Sequence, residues 1–124
     1  AISNQADSPG AHYYLGMLYQ SQSKYDDALA IYSQMLNGGK SSKRAYYNSG
    51  YIYLVELNEY DKAEDMFIQA VSLDSNFIEA VYNLGRTYEA KKEYDLARKY
   101  YNWSMEILPN YPLAIQGLNR LDQM

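Results

Sequence analysis

Cysteine is absent from the 124-residue sequence, which excludes disulfides and thiolate metal sites and leaves the compartment open. No apolar run approaches the roughly 18 residues of a membrane-spanning helix, and the amino end carries no secretory signal pattern. The chain starts at Ala1 rather than a methionine, so a processed product or an excised segment is expected. No basic block occurs: 11 basic and 15 acidic side chains are interspersed, for a net charge of -4. Counterion release therefore has little to act on, and nucleic-acid binding is not expected. Phenylalanine (two) and tryptophan (one) are scarce against 16 tyrosines. A tyrosine pairs an apolar ring with a hydroxyl that wants a partner or water. A fold so rich in it keeps many ring tips near solvent or along a groove.

Catalytic apparatus is missing as well. The single histidine, His12, has no serine or cysteine pairing motif around it and falls at a helix-packing position. There is no phosphate-binding glycine loop, no HExxH and no metal-ligand spacing. The carboxylates Asp26, Asp27, Asp61, Glu64, Asp65 and Asp95 fall near the starts of predicted helices, where negative charge complements the helix dipole. No enzyme, metal or cofactor is expected.

What is present is a repeat. Tyr14-Leu15-Gly16-Met17-Leu18-Tyr19, Asn48-Ser49-Gly50-Tyr51-Ile52-Tyr53 and Asn83-Leu84-Gly85-Arg86-Thr87-Tyr88 share one phrase, the glycines stepping by 34 and then 35. A second phrase follows each: Lys24-Tyr25-Asp26-Asp27-Ala28, Glu59-Tyr60-Asp61-Lys62-Ala63 and Glu93-Tyr94-Asp95-Leu96-Ala97. The alanines sit 12, 13 and 12 residues after their glycines, which predicts one extra residue in the middle turn. Four residues past each alanine comes an aromatic, Tyr32, Phe67 or Tyr101.

Apolar residues at helical spacing predict first helices over 11–22, 44–57 and 77–91 and second helices over 25–37, 60–73 and 94–107. Boundary signals support them. Ser8-Pro9 reads as a cap followed by proline, Asn76-x-x-Glu79 as a capping box, Gly38-Gly39 as a helix stop and Pro109 as a closing residue. A glycine inside a helix costs about 1 kcal/mol relative to alanine. Three at matched positions imply close approach of the second helix, near Ala28, Ala63 and Ala97. Tyr19, Tyr25, Tyr53, Tyr60, Tyr88 and Tyr94 are predicted core residues.

From Ser8 to Asp122 the chain resembles the tetratricopeptide repeat family, on the glycines, the tyrosines three later, the alanines and Pro109. Lys40 and Ser75 depart from it, standing where the first two repeats would close on proline. The resemblance implies an all-α fold, a right-handed α–α superhelix of three helix–turn–helix repeats plus a capping helix. As one domain over 1–124, the repeats are expected at about 9–42, 43–76 and 77–110, with the cap at about 112–122. Gln116, Asn119 and Arg120 suit its outer surface, and residues 1–7 read as a leader or the remnant of an earlier segment.

The resemblance further implies that the first helices line a concave groove that binds an extended peptide or a partner helix. Carried over by position, the groove columns are Tyr13, Tyr47 and Tyr82; Tyr14, Asn48 and Asn83; and Met17, Tyr51 and Arg86. Asn48 and Asn83 could pair with a peptide backbone or instead tie neighbouring helices together. One subclass of the family holds the terminal carboxylate of chaperone tails with lysines, an arginine and asparagines. Here those positions are Tyr13, Met17, Asn48, Glu79 and Asn83; only Asn48 fits, and Glu79 would repel a carboxylate. Lys43 and Arg44 leave one weakly basic rim. The expected partner is thus a protein or peptide. The alternative is a structural spacer or self-associating unit within a larger protein, which exposed Ile2 or Leu121 would favour.

Overall fold

The computed structural model describes residues 9–37 and 42–124. Their fold is all-α, with seven helices: α1 (Pro9–Ser21), α2 (Tyr25–Asn37), α3 (Lys43–Tyr51, continued by a π-helical turn over Ile52–Glu56), α4 (Tyr60–Leu73), α5 (Ile78–Ala90), α6 (Tyr94–Ile107) and α7 (Pro112–Asp122). Each odd helix packs on the even one that follows it, and the three hairpins stack in series with α7 laid over the last. The expected second helices and cap have the observed ends. The expected Ser8 cap, the Gly38-Gly39 stop, the Lys40 position and residues 1–7 lie outside the described residues.

The core follows the repeated phrase. Ala28, Ala63 and Ala97 are fully buried, as are Tyr32, Phe67 and Tyr101 four residues later. A Cβ built on Gly16 would collide with the ring of Tyr32, and one built on Gly50 or Gly85 would come within 2.8 Å of the rings of Phe67 and Tyr101. The glycines therefore make room for the aromatic, not chiefly for the alanine as the sequence suggested. Ring area buried against bare backbone outweighs the low helix propensity of glycine. Gly117 does the same from α7, so that Tyr101 is gripped by glycines on both faces.

Two local expectations are corrected. The extra residue of the middle repeat is not in the turn. All three turns are alike: the residue before the last turn position has positive φ (Ser23 61°, Asn58 55°, Lys92 64°). In each, the repeated tyrosine's carbonyl accepts the N–H that ends the turn, from Lys24 to Tyr19 O, Glu59 to Tyr53 O and Glu93 to Tyr88 O. The surplus residue is absorbed inside α3 as the π-helical turn, where Leu57 N–H reaches back to Ile52 O at 3.0 Å. Nor is there a capping box at Asn76. Phe77 is the N-cap of α5 without a side-chain cap bond, while Asp74 accepts the Asn76 N–H at 3.0 Å. A genuine side-chain cap opens α3, where Ser42 Oγ accepts from Ala45 N–H.

Of the predicted core tyrosines, Tyr88 is buried and Tyr19, Tyr25, Tyr53 and Tyr60 are half-buried, but Tyr94 is exposed. Tyr25 and Tyr60 lean on the turn residues Ser23 and Asn58 through their hydroxyls. The corresponding Lys92 has no acceptor to offer Tyr94. Leu121 of α7, named as a candidate exposed apolar end, is buried in the core.

Candidate binding face

The nine positions expected to line a groove fall on α1, α3 and α5, and they do different work there. The tyrosines three before each glycine lay their rings on the aromatic of their own repeat: Tyr13 on Tyr32 (6.2 Å between centroids), Tyr47 on Phe67 (5.8 Å) and Tyr82 on Tyr101 (5.7 Å). Tyr47 and Tyr82 are also backed by Phe77 (5.1 Å) and Tyr111 (5.8 Å). These rings belong to the packing, and only their hydroxyl ends reach towards the face.

The asparagines take two of those hydroxyls, those of Tyr13 and Tyr47. Asn48 Nδ2 donates to Tyr13 Oη and to Tyr32 Oη, both at 3.2 Å, which ties α3 to the hairpin before it. One repeat on, Asn83 Nδ2 donates to Tyr47 Oη at 3.1 Å and to the Glu79 carbonyl at 2.8 Å, while its Oδ1 accepts from Arg86 at 2.9 Å. Asn83 is only 4% exposed. Of the two uses weighed for the pair, the tie between neighbouring helices is what the geometry shows. Burial pushes the Tyr32 and Tyr47 phenols up to about 12. The bond from Asn48 pulls Tyr32 back, whereas the charge of Glu79 adds to the rise at Tyr47. Both stay neutral donors or acceptors at ordinary pH.

The outward residues of the face are Tyr14 (79% exposed) and Met17 (46%), with half-buried Tyr51 and Arg86. Met17 lines one depression and Arg86 another. A cavity of about 300 Å³ lies among Tyr13, Met17, Gln20, Ser21 and Asn48. A second of about 420 Å³ lies between the end of α3, α5 and the end of α7, with Leu54, Val55, Arg86, Glu89 and Arg120 in its lining. Among the described residues no three His, Cys, Asp or Glu side chains gather as a metal site, and no helix is long and apolar enough to cross a membrane.

Tetratricopeptide repeat family models match residues 11–37, 43–77 and 78–111, more than half of the chain. The chain belongs to the tetratricopeptide repeat family. Domains of this family are protein-interaction modules. Among relatives, human protein O-mannosyl-transferase TMTC3 is 27% identical over 100 residues, covering 80% of this chain and 11% of that protein. This tetratricopeptide segment thus spans about a tenth of that relative's length. Among solved structures, MamA superposes with a TM-score of 0.89 at 25% identity, over 96% of this chain and 70% of its own. The first tetratricopeptide domain of Spaghetti (RPAP3), bound to the HSP90 peptide SRMEEVD, gives 0.85 at 25% identity, over 90% and 88%.

Sequence reasoning missed part of this tetratricopeptide face. Gln20, Val55 and Glu89 line the cavities, yet the expected columns stopped at Met17, Tyr51 and Arg86. The signal was present: a helical stripe that carries the first two columns continues three to four residues further on. Arg120 could not be found that way, because it reaches the face from α7.

Proposed function

We propose that this domain binds a peptide or partner helix along the face formed by α1, α3 and α5, within a larger protein assembly, and has no catalytic chemistry of its own. The observation that carries this reading is the division of labour on that face. Tyrosine–asparagine ties hold the helices in register, while Met17, Tyr51, Val55 and Arg86 keep surface for a ligand beside two open depressions. Methionine and tyrosine offer adaptable apolar area, and a scaffold fixed beforehand lowers the entropy lost on binding. The relative named as a mannosyl-transferase extends far beyond the matched segment, so its name says nothing of catalysis in this part.

The RPAP3 neighbour holds a peptide ending in Glu-Glu-Val-Asp, but the same clamp is not supported here. None of the carried-over clamp positions Tyr13, Met17, Asn48, Glu79 and Asn83 is a lysine or arginine, and Glu79 is exposed at the entrance to α5. Lys43 of the basic rim is already paired with Asp74. A second reading, a spacer or self-associating unit, draws on the exposed Tyr14 and Leu18 of α1.

The test is capture from a native extract by the intact domain and by a Met17→Glu/Val55→Glu variant, then a titration with the peptide mapped from the captured protein. Binding that the double variant weakens at least about tenfold, with unchanged melting, is expected. Equal affinity of both proteins would move the contact to another face.

A further inference from the structure

The middle repeat breaks a rule that the other two keep. In the first, Tyr32 Oη donates to Gln20 Oε1 at 3.1 Å; in the third, Tyr101 Oη donates to Glu89 Oε1 at 2.6 Å. Each pair joins the buried aromatic of the second helix to the residue four after the glycine of the first. In the middle repeat the aromatic is Phe67, without a hydroxyl, and the partner position holds Leu54. Both halves of the polar pair are replaced together by apolar groups, so no buried polar atom is left without a partner. In the same stretch the π-helical turn adds a residue to α3, and Val55 stands 36% exposed beside Leu54.

The result is an apolar wall in the middle of an otherwise polar-tipped face, opening on the cavity of about 420 Å³. Leu54, Val55 and Ala90 form that wall. Opposite stand three charges. Arg120 grips Glu89 with two bonds of 3.0 Å, and Tyr101 adds a third, so the carboxylate is neutralised within the protein. Arg86 donates one N–H to Asn83 Oδ1 and lies over the Tyr82 ring at 5.9 Å; among the described residues no carboxylate forms a salt bridge with it. The carbonyls near the π-helical turn are used locally, Ile52 O by Leu57 and Tyr53 O by Glu59. Two arginines face one carboxylate in this cavity; Glu89 is bonded to Arg120 and draws on Arg86 only through its charge, so Arg86 is the cation held more weakly. It lies about two turns along α5 from Glu79, roughly 10 Å at 1.5 Å per residue.

We propose that this cavity is a side-chain pocket of the peptide groove that takes an aliphatic residue whose neighbour carries a carboxylate, the aliphatic group against Leu54 and Val55 and the carboxylate on Arg86. The pocket rests on the peptide-binding reading above and supplies its specificity. A guanidinium offers a carboxylate two parallel donors, and an apolar wall rejects polar side chains that would lose their water.

The probe is an immobilised set of heptapeptides with random flanks. At two adjacent central positions they carry leucine, valine, alanine or serine, followed by aspartate, asparagine or lysine. A further pool ends in free-acid leucine and separates a terminal carboxylate from a side-chain one. Leucine–aspartate and valine–aspartate pools should retain the domain on the order of tenfold better than serine–aspartate or leucine–lysine; retention of the free-acid pool in their place would overturn the assignment to a neighbouring side-chain carboxylate. Arg86→Gln should erase the preference for aspartate over asparagine and keep the aliphatic preference; Val55→Ser should do the reverse. Val55 reaches solvent, so its variant should melt near the parent; Arg86→Gln removes the guanidinium donor from buried Asn83 Oδ1 and should melt lower, so retention is compared at a temperature where both variants are folded. Preferences indifferent to the two variants would overturn the pocket and leave the groove reading standing. No pool retained above a glycine–serine heptapeptide would overturn both.

Discussion

The first and third repeats carry the same phrase and end in different surroundings. Two after the glycine, Leu18 is 50% exposed in the first, whereas its counterparts Ile52 and Thr87 are fully buried. Two before it, Tyr14 is 79% exposed and Asn83 only 4%. What differs is the neighbour. Ile52 packs into the cluster of Ala28, Tyr32 and Met35 on the hairpin before it, while no described hairpin precedes α1. In a repeat array each unit is stabilised by its own packing plus its nearest interfaces. Equal sequence patterns therefore give unequal stability, lowest at α1 and highest around α5 and α6.

That comparison can be broken by paired substitutions read in denaturant melts. The largest effect is expected for Tyr101→Ala, which empties the slot between Gly85 and Gly117 and should cost about 3–5 kcal/mol. Tyr14→Ala should stay within about 0.5 kcal/mol. Comparable losses in the two would refute the gradient. Next, Ile52→Ala should cost about 2–4 kcal/mol, and Leu18→Ala under about 1 kcal/mol, although both occupy the same register. Asn83→Ala should cost about 1–3 kcal/mol, since it strips partners from Tyr47 and Arg86. The half-buried Asn48 should lose less.

Titration sharpens the same picture. The Tyr32 and Tyr47 phenols are raised from 10.0 to about 12 in the folded protein, so between those values the folded state holds protons that the unfolded chain has released. Stability is then fully present below pH 10 and falls as pH rises towards 12. Tyr47→Phe should shallow that fall, measured by melts at stepped pH. At acid pH the sign reverses for Glu89. Burial pushes its carboxyl up, but the bonds from Arg120 and Tyr101 outweigh that and hold it below the usual range. Its contribution is present above the unfolded value and is lost as pH falls through the folded one. The smallest effect is expected at the turns: Lys92, at φ 64°, should accept glycine with a gain of about 0.5–1 kcal/mol.

Much of the fold was legible because the repeated glycine, alanine and aromatic are packing positions, and packing dictates their spacing. The ends of α2, α4, α6 and α7 followed from it. The binding face was legible only in part. The spacing put Tyr13, Tyr47 and Tyr82 on one stripe of the first helices, but a tyrosine has two ends, and sequence does not say which is packed. Asn48 and Asn83 can serve a ligand or a neighbouring hydroxyl with the same groups, and the choice depends on what the preceding hairpin offers. The surplus residue before Asn58 showed in the spacing. Its place inside α3 did not, because a turn and a helix can each absorb one residue, and here the three turns keep a common hydrogen bond.

The account stands on the face of α1, α3 and α5 being where a ligand sits. The most direct test is amide chemical-shift mapping of the domain while a captured or selected peptide is added. Shifts concentrated at Met17, Gln20, Tyr51, Val55, Arg86 and Ala90, with α2, α4 and α6 unmoved on their outer sides, are the predicted result. Shifts centred on α2, α4 and α6 would contradict it.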